Sequence, residues 1–237
     1  MSTLATQNPS PSTDAVAPAW HTVLVVLIML GLSWLSAYSQ GLPSVGKTRS
    51  RVAEYITSIA MEWLMLGFIW IGLRLRRQHM RVLLGGNWGG LWQIPRDLGI
   101  GVLFLIASNL VLSLISHLLK AVPNAATIGL LPRTPTEIAV FSLLTITAGI
   151  CEEMIFRGYL QRQFSVFFKS AAAGMVLQAI MFGASHGYQA RKFMLIIFVY
   201  GLMFGLMARS RRSLRPGMFA HFLQDLVAGV AGGRFMK

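Results

Sequence analysis

The stretch Ala148-Gly-Ile-Cys-Glu-Glu-Met-Ile-Phe-Arg-Gly-Tyr159 sets two adjacent carboxylates, Glu152 and Glu153, and one guanidinium, Arg157, inside an otherwise apolar run. An ionisable side chain at membrane depth costs a few kcal/mol or more, so such groups face a bundle interior or a wet cavity and find partners. On a helix Glu153 and Arg157 are four residues apart and share a face, which suits an ion pair. Glu152 points about 100° away from Glu153 around the axis and is left over. The expectation is that Glu153 and Arg157 are structural and Glu152 chemical.

The surrounding composition fixes the class. The 237 residues are 54% hydrophobic and 12% charged, against about a quarter charged in soluble domains. This is an all-α, polytopic transmembrane helix bundle. Its formal charge of +13 lies in short Lys/Arg patches between apolar runs rather than along one polar face. The counterions are therefore read as anionic lipid headgroups, and nucleic acid is excluded as a partner. Cys151 is the single cysteine, which excludes an intramolecular disulfide and any Cys-based metal cluster, and it reads as a small apolar residue.

About seven spans are predicted. Residues 1–18, rich in Ser, Thr, Pro and Ala, read as a disordered N-terminal tail without the basic region of a signal peptide. Spans follow over Ala19–Tyr38, Tyr55–Leu73, Leu98–Leu119, a helix starting at Thr136 and Glu137, Ala171–Tyr188, Phe193–Ala208 and Pro216–Val230. The segment 85–95, rich in Gly and Trp, suits the membrane interface. The chain divides into N-terminal transmembrane helices (19–135), a helical core carrying the motifs (136–231) and a C-terminal tail (232–237). Counting Lys and Arg in alternate links gives 12 against 9, which puts the N-terminus in the cytoplasm. Glu62, alone in the second span, reads as a bundle-facing residue paired to a neighbouring helix.

Two further clusters have helical spacing. In Phe182-Gly-Ala-Ser-His186 the ring lies one turn before the imidazole and can pack beneath it. In His221-Phe-Leu-Gln-Asp225 imidazole and carboxylate share a face, so the carboxylate can fix the imidazole tautomer or join it in holding a ligand. His21, His79 and His117 read as packing or link residues. A carboxylate, two histidines and an Asp can bind and polarise water, with or without a divalent metal. A Glu that takes a proton from water and returns it to a leaving amine, beside imidazoles facing the oxyanion, is the logic of amide hydrolysis. Neither a serine nucleophile elbow nor His-Glu-x-x-His is present.

In order and spacing, Glu152-Glu153-Met-Ile-Phe-Arg157, Phe182-x-x-x-His186 and His221-x-x-x-Asp225 resemble the CPBP family. These are the CAAX protease and bacteriocin-processing membrane proteins, also called the ABI family, and the resemblance covers 136–230. It implies an intramembrane endopeptidase, of metallo- or glutamate type, that cuts a membrane-anchored or hydrophobic peptide. Its setting would be a bacterial inner membrane. Glu152 would activate water, Glu153 and Arg157 would support it, and His186, His221 and Asp225 would complete the site. If a metal is used, Zn2+ or another divalent ion would sit on Glu152, His186 and His221. The prenyl endopeptidase branch has Asn where this chain has Asp225, so prenylation of the substrate does not follow. A non-proteolytic scaffold or bacteriocin-immunity protein of the same fold is the alternative. A proton-coupled transporter would instead show repeat symmetry, which the sequence lacks.

The site carries a geometric condition. Glu152, His186 and His221 fall at span ends that do not share one depth in an alternating bundle. Convergence requires the fourth helix to run on through Phe156–Phe168 and the fifth to pass His186 toward Gln189.

Overall fold

The computed structural model describes residues 15–41, 50–85, 92–189 and 191–235, and the described chain is helical. In order, the elements are α1 (Ala19–Gly41), α2 (Arg51–Leu75), α3 (Arg81–Leu84), α4 (Gln93–Leu119), α5 (Ala125–Gly129), α6 (Pro135–Glu152), a π-helix (Glu153–Leu160), α7 (Gln161–Phe167), α8 (Ala171–Ser185), α9 (Arg191–Arg211) and α10 (Arg215–Phe235). Five helical stretches are long and apolar enough to cross a membrane: α1, α2, α4, the continuous helix Pro135–Phe167, and α9. The shorter apolar α8 and the more polar α10 complete the seven expected positions. On α4, Leu103, Leu110, Leu114 and Leu118 stand outward and exposed. An apolar exterior of this kind belongs against hydrocarbon chains rather than water.

The fourth span begins at Pro135, one residue earlier than expected. Thr134 is its N-cap and accepts from the Glu137 N–H, while Glu137 Oε2 accepts from the Thr134 N–H, a capping box with Pro135 in the first helical position. Pro135 therefore starts the helix rather than ending the preceding link, because its missing N–H is one that a first turn does not use. The helix then runs 33 residues without a break, which meets the first half of the geometric condition.

The second half is met differently. The helix α8 stops at Ser185, and residues 186–189 form turns, so the fifth helix does not continue toward Gln189. Its 15 residues rise about 22 Å, short of a hydrocarbon core of about 30 Å. Starting from the same side as the end of α7, this helix ends with His186 inside that thickness rather than at its far face.

The N-terminal tail expected over 1–18 lies outside the described residues up to residue 14. Val16 and Ala17 are buried, and both backbone N–H groups donate to Gln163 Oε1. His21 extends this lock. Its Nδ1 is 2.8 Å from the Tyr159 hydroxyl, its Nε2 is 3.0 Å from the Phe68 carbonyl, and its ring stacks on Phe68. It is a hydrogen-bonded packing residue, as expected, whereas His79 and His117 are exposed. Residues 86–91 of the Gly/Trp-rich link and 236–237 of the C-terminal tail lie outside the described residues, and α10 extends through Phe235.

Two glycines allow the close approaches that set the core. A Cβ on Gly149 would meet the Met218 carbonyl oxygen of α10 at 2.7 Å, and one on Gly183 would meet that of Met194 in α9 at 2.7 Å. Both obstacles are backbone and cannot swing aside. Gly149→Val is expected to cost about 1–3 kcal/mol by overpacking. Gly67→Ala, which meets nothing within 4 Å, should stabilise by a few tenths to about 1 kcal/mol. Thermal unfolding of the detergent-solubilised protein measures both.

Candidate active site

The opening motif lies where the 33-residue helix changes its winding. From Glu153 to Leu160 the ladder loosens to i→i+5, and every residue of that segment is buried. Such segments are rare and frequently mark functional sites. Glu153 is wholly buried, with Oε1 2.9 Å from Arg157 Nη1 and 3.0 Å from His221 Nδ1. The Arg157 guanidinium carbon sits 4.2 Å from the ring centre of Phe182 and 4.8 Å from that of Phe204. Cation–π contact thus adds to the ion pair in a place without water. The expected pair of Glu153 and Arg157 is present, and its carboxylate reaches a second partner from α10.

That partner is the centre of the cluster. His221 is buried, stacks on Phe204 at 5.2 Å and meets the edge of Phe182 at 5.9 Å. With Nδ1 engaged by Glu153, its Nε2 is directed at two other carboxylates, Glu152 Oε2 at 3.7 Å and Asp225 Oδ2 at 3.6 Å. His221 and Asp225 do share a face, and α10 brings both to Glu152. Gly217 explains how α10 comes so near: a Cβ there would lie 3.0 Å from Glu153 Oε2.

His186 approaches from the end of α8. Its Nδ1 donates to the Phe182 carbonyl at 2.8 Å, which leaves Nε2 with the lone pair in the neutral ring. The Phe182 ring packs on the imidazole at 5.1 Å, as the spacing predicts. His186 lies within electrostatic reach of Asp225, and no hydrogen bond or ion pair between His186 and Glu152 is present among the described residues. Tyr188, in the turn after α8, packs on His186 at 5.9 Å and is within reach of Glu152, Asp225 and Glu62. The structure thus gathers Glu152, Glu153, Arg157, His221 and Asp225 in direct contact and places His186 beside them.

Glu152 stands apart from its neighbour. Its side chain keeps 18% exposure, and Oε2 is buried with no hydrogen-bond partner. The donors are chemically suited to zinc, since each imidazole has Nδ1 committed and turns Nε2 away from that partner. Among the described residues, no three His, Cys, Asp or Glu side chains are grouped as a preformed metal site, and no step is routed through a metal. Cys151 is fully buried next to the motif, in keeping with an apolar packing role.

Sequence reasoning left one residue out. Glu62 was set aside as a packing carboxylate of α2, yet the charged group it feels most strongly is Glu152, followed by His221 and Asp225. A signal for this was present in the spacing. Glu62 lies on the same stripe as Tyr55, Leu66, Ile69 and Leu73, the buried face of α2.

Glu153 and Glu152 should separate in a stability measurement. Removing the carboxylate in Glu153→Ala leaves Arg157 buried and unpaired, which is expected to cost about 3–5 kcal/mol. Glu152→Ala removes no partnered group and should stay within about 1 kcal/mol. Chemical or thermal unfolding of the two variants side by side reads the difference.

No curated protein and no solved structure matches the chain. Residues 134–227 match the family model described as Rce1-like, type II CAAX prenyl endopeptidase Rce1-like. All six candidate site residues lie within the matched segment. With five membrane-length apolar helices, the chain is an integral, multi-pass membrane protein, and its residues 134–227 are similar to the Rce1-like endopeptidases.

Proposed function

We propose that this protein is an intramembrane endopeptidase of the CAAX type, hydrolysing a peptide bond in a membrane-anchored or hydrophobic segment. The observation that carries this reading is the contrast between the adjacent carboxylates. Glu153 is wholly buried and holds Arg157 and His221 at 2.9 and 3.0 Å through Oε1, whereas Glu152 makes no hydrogen bond at Oε2, meets His221 only at 3.7 Å and keeps 18% of its side chain exposed. A carboxylate that only staples the bundle is held by close partners, as Glu153 is; one without them beside a buried cluster has other work.

In this reading the oxygen of a water attacks the scissile carbonyl carbon while Glu152 takes one of its protons. The carbon–nitrogen bond then breaks, and the same proton passes from Glu152 to the leaving amine. His186 and His221 donate from Nε2 to the developing oxyanion when protonated there. Asp225 and Glu153 act through His221, holding its ring from the two sides. Arg157 holds Glu153 in place. The division into N-terminal helices over 19–135 and a catalytic core over 136–231 follows the same reading, and the proposed setting is a bacterial inner membrane. The proposed partners are the bilayer and a membrane-borne peptide. Asp225 occupies the position of the prenyl branch's Asn, so a prenyl group is not part of the proposal.

Cleavage of a fluorogenic hydrophobic peptide, selected from a library with the wild-type protein in nanodiscs, tests the assignment. Glu152→Ala and His186→Ala are each expected to abolish turnover while leaving the unfolding midpoint in place. Full activity in either would count heavily against the site as drawn. Because no step passes through a metal, cleavage should survive a strong chelator, with less than one zinc per chain by elemental analysis. Loss of turnover on chelation, restored by zinc, would transfer the activation of water from the carboxylate to the ion.

A further inference from the structure

The cluster holds a second carboxylate in the same predicament as Glu152, and it comes from outside the matched segment. Met61, Trp63 and Leu64 of α2 face outward, whereas Glu62 turns inward and is half-buried. Its Oε2 atom is cut off from solvent and has no hydrogen-bond partner, the same state as Glu152 Oε2. α2 packs along α6, and Glu152 is the charged group that Glu62 feels most strongly. The titratable groups that face Glu62 are Glu152 and Cys151 of α6, His221 and Asp225 of α10, and Tyr188 of the turn after α8. Neither an arginine nor a lysine is among the charged groups facing it.

Two acceptor oxygens, each buried and each without a donor, pose one question with a simple answer. Buried acceptors are satisfied by protein groups or by ordered water. A water molecule has two O–H donors, and a buried polar site with several partners is where one binds. We propose that Glu62 and Glu152 together hold the water that attacks the scissile carbonyl, each accepting one of its hydrogens at the oxygen the protein leaves unpartnered. This rests on the endopeptidase reading and adds a residue from α2 to it.

The step balances with the groups named. The water oxygen bonds to the carbonyl carbon, and the hydrogen on Glu152 transfers to that carboxylate and then to the amine nitrogen as the carbon–nitrogen bond breaks. The hydrogen held by Glu62 stays on the oxygen and leaves with the new carboxylic acid. Glu62 thus aims the lone pair of the water without itself carrying a proton through the reaction.

The test compares Glu62→Leu, Glu62→Gln and Glu62→Ser with Glu152→Ala in nanodiscs, using the fluorogenic peptide that the wild type cleaves. Glu62→Leu removes the acceptor at nearly constant volume, and kcat is expected to fall about 100-fold with KM within about twofold. Glu62→Gln keeps an acceptor oxygen at the same reach and should recover kcat to within about tenfold of wild type. Glu62→Ser is too short to reach the water and should behave as Leu does. If the Leu variant fails to fold, the Gln and Ser pair carries the comparison. Wild-type kcat in Glu62→Leu or Glu62→Ser, with Glu152→Ala inactive, overturns the role of Glu62 and leaves the endopeptidase reading standing. Full activity in Glu152→Ala overturns both. A Gln variant no better than Ser also sinks the proposal, since a hydrogen-bond acceptor at that position would then do nothing.

Discussion

The fold depends on how a charge survives at membrane depth. Glu153 and Arg157 lie wholly inside the bundle, where desolvation opposes each of them, and neither could remain there without the other. Their contact at 2.9 Å is only part of the solution. The guanidinium is sandwiched between Phe182 of α8 and Phe204 of α9, and the carboxylate takes His221 of α10. One ion pair therefore collects side chains from every helix that forms the C-terminal half. The position of each of these helices relative to the π-helix is set by a contact with the same two residues.

This explains why the depths agree. A bundle of equal helices would have put His186 and His221 at different levels, since α8 and α10 carry them at opposite ends. The structure uses unequal helices instead. The fourth crossing is long, 33 residues, so that Glu152 is its eighteenth residue. The fifth is short, so that its C-terminal cap is already inside. In the last helix His221 stands two turns from the start, and that start is itself tucked against Glu153 through Gly217. The looser winding of the π-helix widens the turn that holds Glu153 and Arg157, and it packs all eight of its residues against neighbours.

Much of this was legible in the residues. Apolar length gave the spans, and the i, i+4 spacings gave three contacts that the structure contains: Glu153 with Arg157, Phe182 with His186, and His221 with Asp225. What spacing within one helix cannot encode is contact between helices. The His221 bond to Glu153, the rings around Arg157 and the approach of Glu62 to Glu152 are all of that kind. The end of α8 was misread for a related reason, because hydropathy sees an apolar run continuing through Tyr188 but not the hydrogen bond from His186 Nδ1 to the Phe182 carbonyl. That bond satisfies a carbonyl of the last turn with a side chain, which helps α8 stop at Ser185. The start at Pro135 was missed by one residue because a proline looks like a helix breaker until the capping box on either side of it is noticed.

Adjacent residues on one helix have thus been given opposite environments, and the cause is angular. A rotation of about 100° per residue turns Glu153 into the ring-lined interior and Glu152 toward another side, where its side chain keeps 18% exposure. The first carboxylate gains close partners from its own helix and from α10 through Oε1; the second has only the far nitrogen of the same imidazole, at 3.7 Å, and shares it with the acidic Asp225 at 3.6 Å. The unsatisfied oxygens are therefore a consequence of which residues surround them rather than of loose packing. They leave a polar gap of the kind that water enters, held inside a bundle whose outer surface is hydrocarbon-facing leucine and tryptophan.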